Sequence, residues 1–94
     1  MLYYLFQFCF MEWIPEDKIE AIKATAPIKV GERIRYYRRM SDLTQTQLAN
    51  LMGNDRQYIY KIEKGKVSPS ISTIAVIAHA LNVSLSELFK EINF

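Results

Sequence analysis

With 94 residues, half of them hydrophobic, the chain has room for one small domain and enough apolar side chains to build its core. A single cysteine, Cys9, excludes a disulfide framework within a monomer, and a single histidine, His79, leaves a histidine-based metal cluster or catalytic dyad without its second member. The net charge of +2 conceals a concentration: residues 28–66 hold nine Lys and Arg against four acids, so that block carries +5 and the remainder −3. Charge of one sign gathered on one segment is the electrostatic footprint of a polyanionic partner.

Taken in order, the chain begins with MLYYLFQFCFMEWI, in which only Gln7 and Glu12 are not apolar. The run has neither the basic start nor the small-residue cleavage site of a secretory signal, and it is too short to span a bilayer. It is expected to pack on its own domain, to pair with a second copy, or to precede a true start at Met11. The second of these is favoured, because an apolar patch of this size rarely stays exposed. Residues 1–27 therefore read as an N-terminal extension and residues 28–94 as the domain. Pro15, followed by Glu16 and Asp17, predicts the start of a short helix with Ile19, Ile22 and Ala26 on one stripe, closed by Pro27. The first helix of the domain follows, from about Val30 to Met40, with Val30, Ile34 and Tyr37 on its apolar face and Arg33, Arg35, Arg38 and Arg39 around the others.

The stretch Leu43 to Gly65 organises the rest. Thr44 and Gln47 have capping-box spacing, and Leu48, Leu51 and Met52 with Ala49 mark an apolar helix face. Gly53 stops that helix, and Asp55 caps a second one that starts at Arg56, buries Ile59 and Ile62 and ends at Gly65. Two short helices on a tight Gly turn make a helix-turn-helix. The outer side of the second helix keeps Arg56, Gln57, Tyr60, Lys61 and Lys64, a set without a carboxylate. A solvated basic face is the plainer account of such a set, but the flanking pattern favours a helix made for the DNA major groove. Beyond it, Lys66 and Pro69 lie in a loop, and Lys64 and Lys66 are placed to reach phosphates. A fourth helix over Ser70 to Leu81 puts Ile71, Ile74, Ala78 and Leu81 at core spacing, with His79 on its outer side and Asn82 at its end. Ser84 and Glu87 then open a last short helix carrying Leu85, Leu88 and Phe89.

Leu43, Thr44, Gln45, Leu48, Ala49, Gly53, Ile59, Ile62, Glu63 and Gly65, continued by Pro69, Ile74, Ala78, Leu81, Ser84 and Leu88, resemble the lambda-repressor-like (Cro/Xre-type) helix-turn-helix family over roughly residues 28–90. The resemblance implies an all-α fold: a five-helix helix-turn-helix domain, preceded here by the apolar extension and one extra short helix. It also implies roles. Thr44 and Gln45 would meet a phosphate at the first motif helix, helped by the positive helix end. Arg56, Gln57 and Lys61 would face base edges, with Tyr60 alongside, although Tyr60 departs from the small residue common there. Tyr58 would be core rim or phosphate contact, and Lys64 and Lys66 phosphate contacts. Arg38 and Glu63 would form a structural pair joining the first helix to the recognition helix.

The function so implied is a sequence-specific transcriptional regulator, a repressor acting as a homodimer on a palindrome, cytoplasmic, with double-stranded DNA as partner and no cofactor, metal or membrane. The alternative is an antitoxin-type or other protein-interaction module that grips a protein partner through its apolar N-terminus. No paired carboxylates, phosphate loop or catalytic dyad point to an enzyme.

Overall fold

The computed structural model describes residues 13–94. The apolar run up to Glu12, with Met1 and Met11 and the contact expected of it, lies outside the described residues. Trp13 and Ile14, which close that run, are 80% and 56% exposed. The described residues form five helices and no strand: α1 (Glu16–Met40), α2 (Gln45–Met52), α3 (Arg56–Glu63), α4 (Ile71–Ala80) and α5 (Leu85–Leu88).

The extra short helix and the first helix of the domain are one helix. α1 runs 25 residues through Pro27, which had been expected to close the first of two. Proline removes one backbone donor and crowds the carbonyl four residues back, here that of Lys23. Lys23 is exposed, so water can take the freed carbonyl; Glu20, Ala21, Lys23, Ala24 and Ala26 favour helix up to the proline, and beyond it the buried Gly31, Ile34 and Arg38 hold the helix by packing. Pro15 sits one position ahead of the helix rather than in its first turn, its carbonyl accepting from the Lys18 and Ile19 amides at 3.0 Å.

The shorter helices start where their side chains cap them. Thr44 Oγ1 accepts from the Gln47 amide at 3.0 Å while Gln47 Oε1 accepts from the Thr44 amide at 2.8 Å, closing a reciprocal box. Thr44→Ala is expected to cost about 1 kcal/mol in urea unfolding. Asp55 accepts from the Tyr58 amide at 2.8 Å and Ser70 from Thr73 at 3.1 Å. Ser84 accepts from Glu87 at 3.0 Å, but the box expected there is half made: the Glu87 carboxylate accepts from the Tyr37 hydroxyl at 3.3 Å instead. Gly53, at φ 68°, turns the chain between α2 and α3 in the left-handed region, and Asn82, at φ 58°, does the same after α4.

α3 packs between α2 and α1, α4 backs α2, and α5 closes the far end against α1 and α4. Ile34, Leu48, Ala49, Ile59, Ile62, Ile74, Ile77, Ala78, Leu81 and Leu88 are the buried core. Two expected core residues are outside it: Leu51 is 62% and Ile71 64% exposed. On α2 the adjacent pair Leu48 and Ala49 faces inward, which turns Leu51 about 100° from the centre of the buried arc. Ile71 is the first residue of α4, a turn before Ile74, and projects past the layer it would join. Arg33, though part of the basic block, is structural: its guanidinium donates to the Leu88 and Glu87 carbonyls at 3.1 Å each and ties α1 to the end of α5.

Candidate nucleic-acid interface

α3 divides cleanly by burial. Ile59, Ile62 and Glu63 point inward; Arg56, Gln57, Lys61 and the following Lys64 are exposed; Tyr58 and Tyr60 are half-buried. Tyr58 packs against the core. Tyr60 has two ammonium groups near its ring, Lys66 Nζ 5.5 Å and Lys64 Nζ 5.9 Å from the centroid, a spacing at which the ring face attracts cations. The outward face of α3 carries no carboxylate.

Beneath that face lies a buried ion pair. Arg38 Nε donates to Glu63 Oε2 at 2.6 Å and Nη2 to Glu63 Oε1 at 3.0 Å, a bidentate arrangement, while Nη1 donates to the Leu43 carbonyl at 2.7 Å. Arg38 and Glu63 are 8% and 6% exposed, and among the described residues no buried side-chain polar atom is left without a partner. The pair holds the C-terminal end of α3, the end of α1 and the entry to α2 at one point.

The network runs on to the surface. Glu63 Oε1 also accepts from Gln45 Nε2 at 3.1 Å, and Gln45 Oε1 accepts from Arg56 Nη1 at 2.9 Å. Arg56 Nη2 reaches Gln57 Oε1 at 3.5 Å. Both ends of the Gln45 amide are thus engaged within the protein, and one turns Arg56 toward the start of α2. The Thr44 hydroxyl is likewise occupied by its cap.

Between α1 and α3 this network floors a cleft of about 490 Å³ whose walls include Arg35, Arg39, Thr46, Arg56, Tyr60 and Lys64. Four cations therefore converge on one concavity, which suits an anionic strand. Arg35, Arg39 and Thr46 were not among the residues singled out from the sequence for binding. The signal for the two arginines was present: they lie four apart on one helix face, and Arg39 directly follows the residue that pairs with Glu63. Among the described residues no group of His, Cys, Asp and Glu could hold a metal ion, and no helix is long and apolar enough to cross a membrane.

Comparison with known proteins agrees with this geometry. A family model described as Helix-turn-helix matches residues 34–88. The immunity repressor protein of Bacillus phage phi105 is 39% identical over 62 residues, which is 66% of this chain and 43% of that protein. The chain thus spans less than half the length of that relative. Control protein C.SmaI of Serratia marcescens is 37% identical over 59 residues, 63% of this chain and 70% of its own. The crystal structure of the restriction-modification controller protein C.AhdI from Aeromonas hydrophila superposes with a TM-score of 0.68 at 37% identity, covering 72% of this chain and 97% of that one. With its capped helix pair, its basic recognition face and a family match over more than half its length, the chain belongs to the Cro/Xre-type helix-turn-helix family and is a sequence-specific DNA-binding regulator.

Proposed function

We propose that the chain is a cytoplasmic transcriptional repressor that reads a palindromic operator as a homodimer, each copy laying α3 in the major groove. One observation carries this reading: the exposed side of α3 is wholly cationic or amide-bearing and is continuous with the cleft lined by Arg35 and Arg39. Arg56 and Lys61 favour guanine acceptors and Gln57 favours adenine, so these three would read base edges. Arg35, Arg39 and Lys64, which line one cleft, and Lys66 beyond them would hold the backbone. The relatives named for an immunity repressor and for control of restriction-modification support a regulator of gene expression, with repression the better match. Dimerisation follows from size. An eight-residue helix touches few base pairs, and two half-sites about one helical turn, roughly 34 Å, apart supply the missing specificity.

The test is binding to the DNA upstream of the chain's own reading frame, against a scrambled duplex of equal length, titrated over salt. A preference of about 10³ or more at physiological salt is expected. Equal and steeply salt-dependent binding to both duplexes would reduce the interaction to backbone attraction and overturn the reading. Arg56→Ala and Lys61→Ala are each expected to lose about 1–3 kcal/mol of operator affinity and to relax preference at particular base pairs. Arg35→Ala with Arg39→Ala is expected to weaken operator and scrambled duplex alike and to lower the salt slope by about 2. A base-specific effect in that double variant would place the arginines over bases instead.

A further inference from the structure

The family match begins at residue 34, whereas α1 begins at Glu16, so the first half of α1 lies outside that match. Within Glu16–Thr25 only Ile19 and Ile22 are less than exposed, and both are half-buried. Ile19, Ile22 and Ala26 recur at i, i+3 and i+7, the spacing of a helix–helix seam. A helical stretch of about ten residues is marginal in water, and Pro27 takes one backbone hydrogen bond from it. Such an arm calls for a partner along its seam.

The two flanks of the seam differ. On one, Lys18 Nζ donates to the Phe94 carbonyl at 3.0 Å, and Lys29 Nζ donates to the Asn93 carbonyl with its ammonium 4.9 Å from the Phe94 ring centroid. The chain's own residues Asn93 and Phe94 therefore occupy that flank. The other flank, by the 100° advance per residue, carries Glu16, Glu20 and Lys23. Glu16 and Glu20 are like charges four apart, an arrangement that destabilises an isolated helix unless a cation sits between them.

We propose that the Ile19–Ile22–Ala26 seam packs against the same seam of a second copy of this chain, with the two arms antiparallel. In an antiparallel pair equivalent flanks meet, so Glu16 and Glu20 of one copy face Lys23 of the other, and two-fold symmetry repeats the contact. A parallel pair would instead need the flank that Asn93 and Phe94 already fill. The inference rests on the dimeric reading above and names its surface.

The test is sedimentation velocity on the full chain, with helical content followed by circular dichroism. The wild type is expected to dimerise, and Ile22→Glu to weaken the dimer by about 100-fold while keeping the helices beyond the arm. Glu16→Lys with Glu20→Lys on the one hand and Lys23→Glu on the other are each expected to weaken it by about tenfold, and all three together in one chain to restore it to within about threefold, because the full swap exchanges the partners of every pair. A monomeric wild type, an Ile22→Glu protein that associates normally, or charge variants whose effects add without rescue would each overturn the proposal. A monomeric wild type that Ile22→Glu nonetheless destabilises would mean that the chain covers its own seam. Binding to a duplex with a single half-site separates this failure from that of the DNA-binding reading. Wild type and Ile22→Glu equal there leave DNA recognition standing whatever the dimer result, whereas no preference by either over scrambled DNA would sink it.

Discussion

Arg38→Ala is expected to destabilise the domain by about 3–5 kcal/mol, and Glu63→Ala by a similar amount, as read by urea unfolding. Each removal strands a charge that is more than nine-tenths buried and that the other partner now satisfies through two short hydrogen bonds. A loss of that size is a large share of the total stability of a small domain, about 5–15 kcal/mol, so both variants should melt well below wild type. Replacing both partners by apolar residues, Arg38→Met with Glu63→Leu, should cost far less, because no charge is left behind and the volume is kept. That double variant separates stability from recognition. Gln45 loses the carboxylate that orients its amide, and Arg56 loses the orientation of its acceptor, so operator affinity should fall although the fold persists. An Arg38→Ala protein that melts like wild type but binds DNA poorly would make Arg38 a phosphate contact rather than a structural one.

The parts of this architecture that were readable in the sequence are those decided within a few residues. The Thr44–Gln47 box, the Gly53 turn, the Asp55, Ser70 and Ser84 caps and the left-handed Asn82 depend on local hydrogen bonds and local sterics, and side chains of the expected type stand at each. The exposed set on α3 followed in turn, since caps fix where a helix starts and the start fixes which residues face out. What the sequence could not show depends on relations between elements. Pro27 is a helix stop by local rules, yet α1 runs through it, held beyond it by the packing of Gly31, Ile34 and Arg38. Leu51 and Ile71 have core spacing but lie beyond the reach of the neighbouring helices. Gln45 is expected to meet a phosphate from its place at the start of α2, and the bridge its side chain makes between Glu63 and Arg56 is not written in that position. Its position was local information; its orientation was tertiary.

Gly31→Ala is the second large effect expected, about 3 kcal/mol of stability together with weaker operator binding. Gly31 is buried on α1 where that helix crosses the end of α3, and a Cβ there would lie 2.3 Å from the Ile62 carbonyl oxygen and 2.9 Å from that of Glu63. Both obstacles are backbone, so no rotamer change relieves them; α1 and α3 must move apart. That movement opens the contact that the Arg38–Glu63 pair spans at 2.6 Å, so the steric and electrostatic terms fail together. It also shifts the recognition helix against Arg35 and Arg39 on α1, and with it the width of the cleft between them. The variant should therefore lose affinity for operator and scrambled duplex alike, at temperatures where circular dichroism still shows it folded. Selective loss for the operator alone would place the movement within α3 rather than between the helices. Unchanged stability would mean that α1 bends around the methyl group at Pro27, four residues upstream, where its hydrogen-bond ladder is already open.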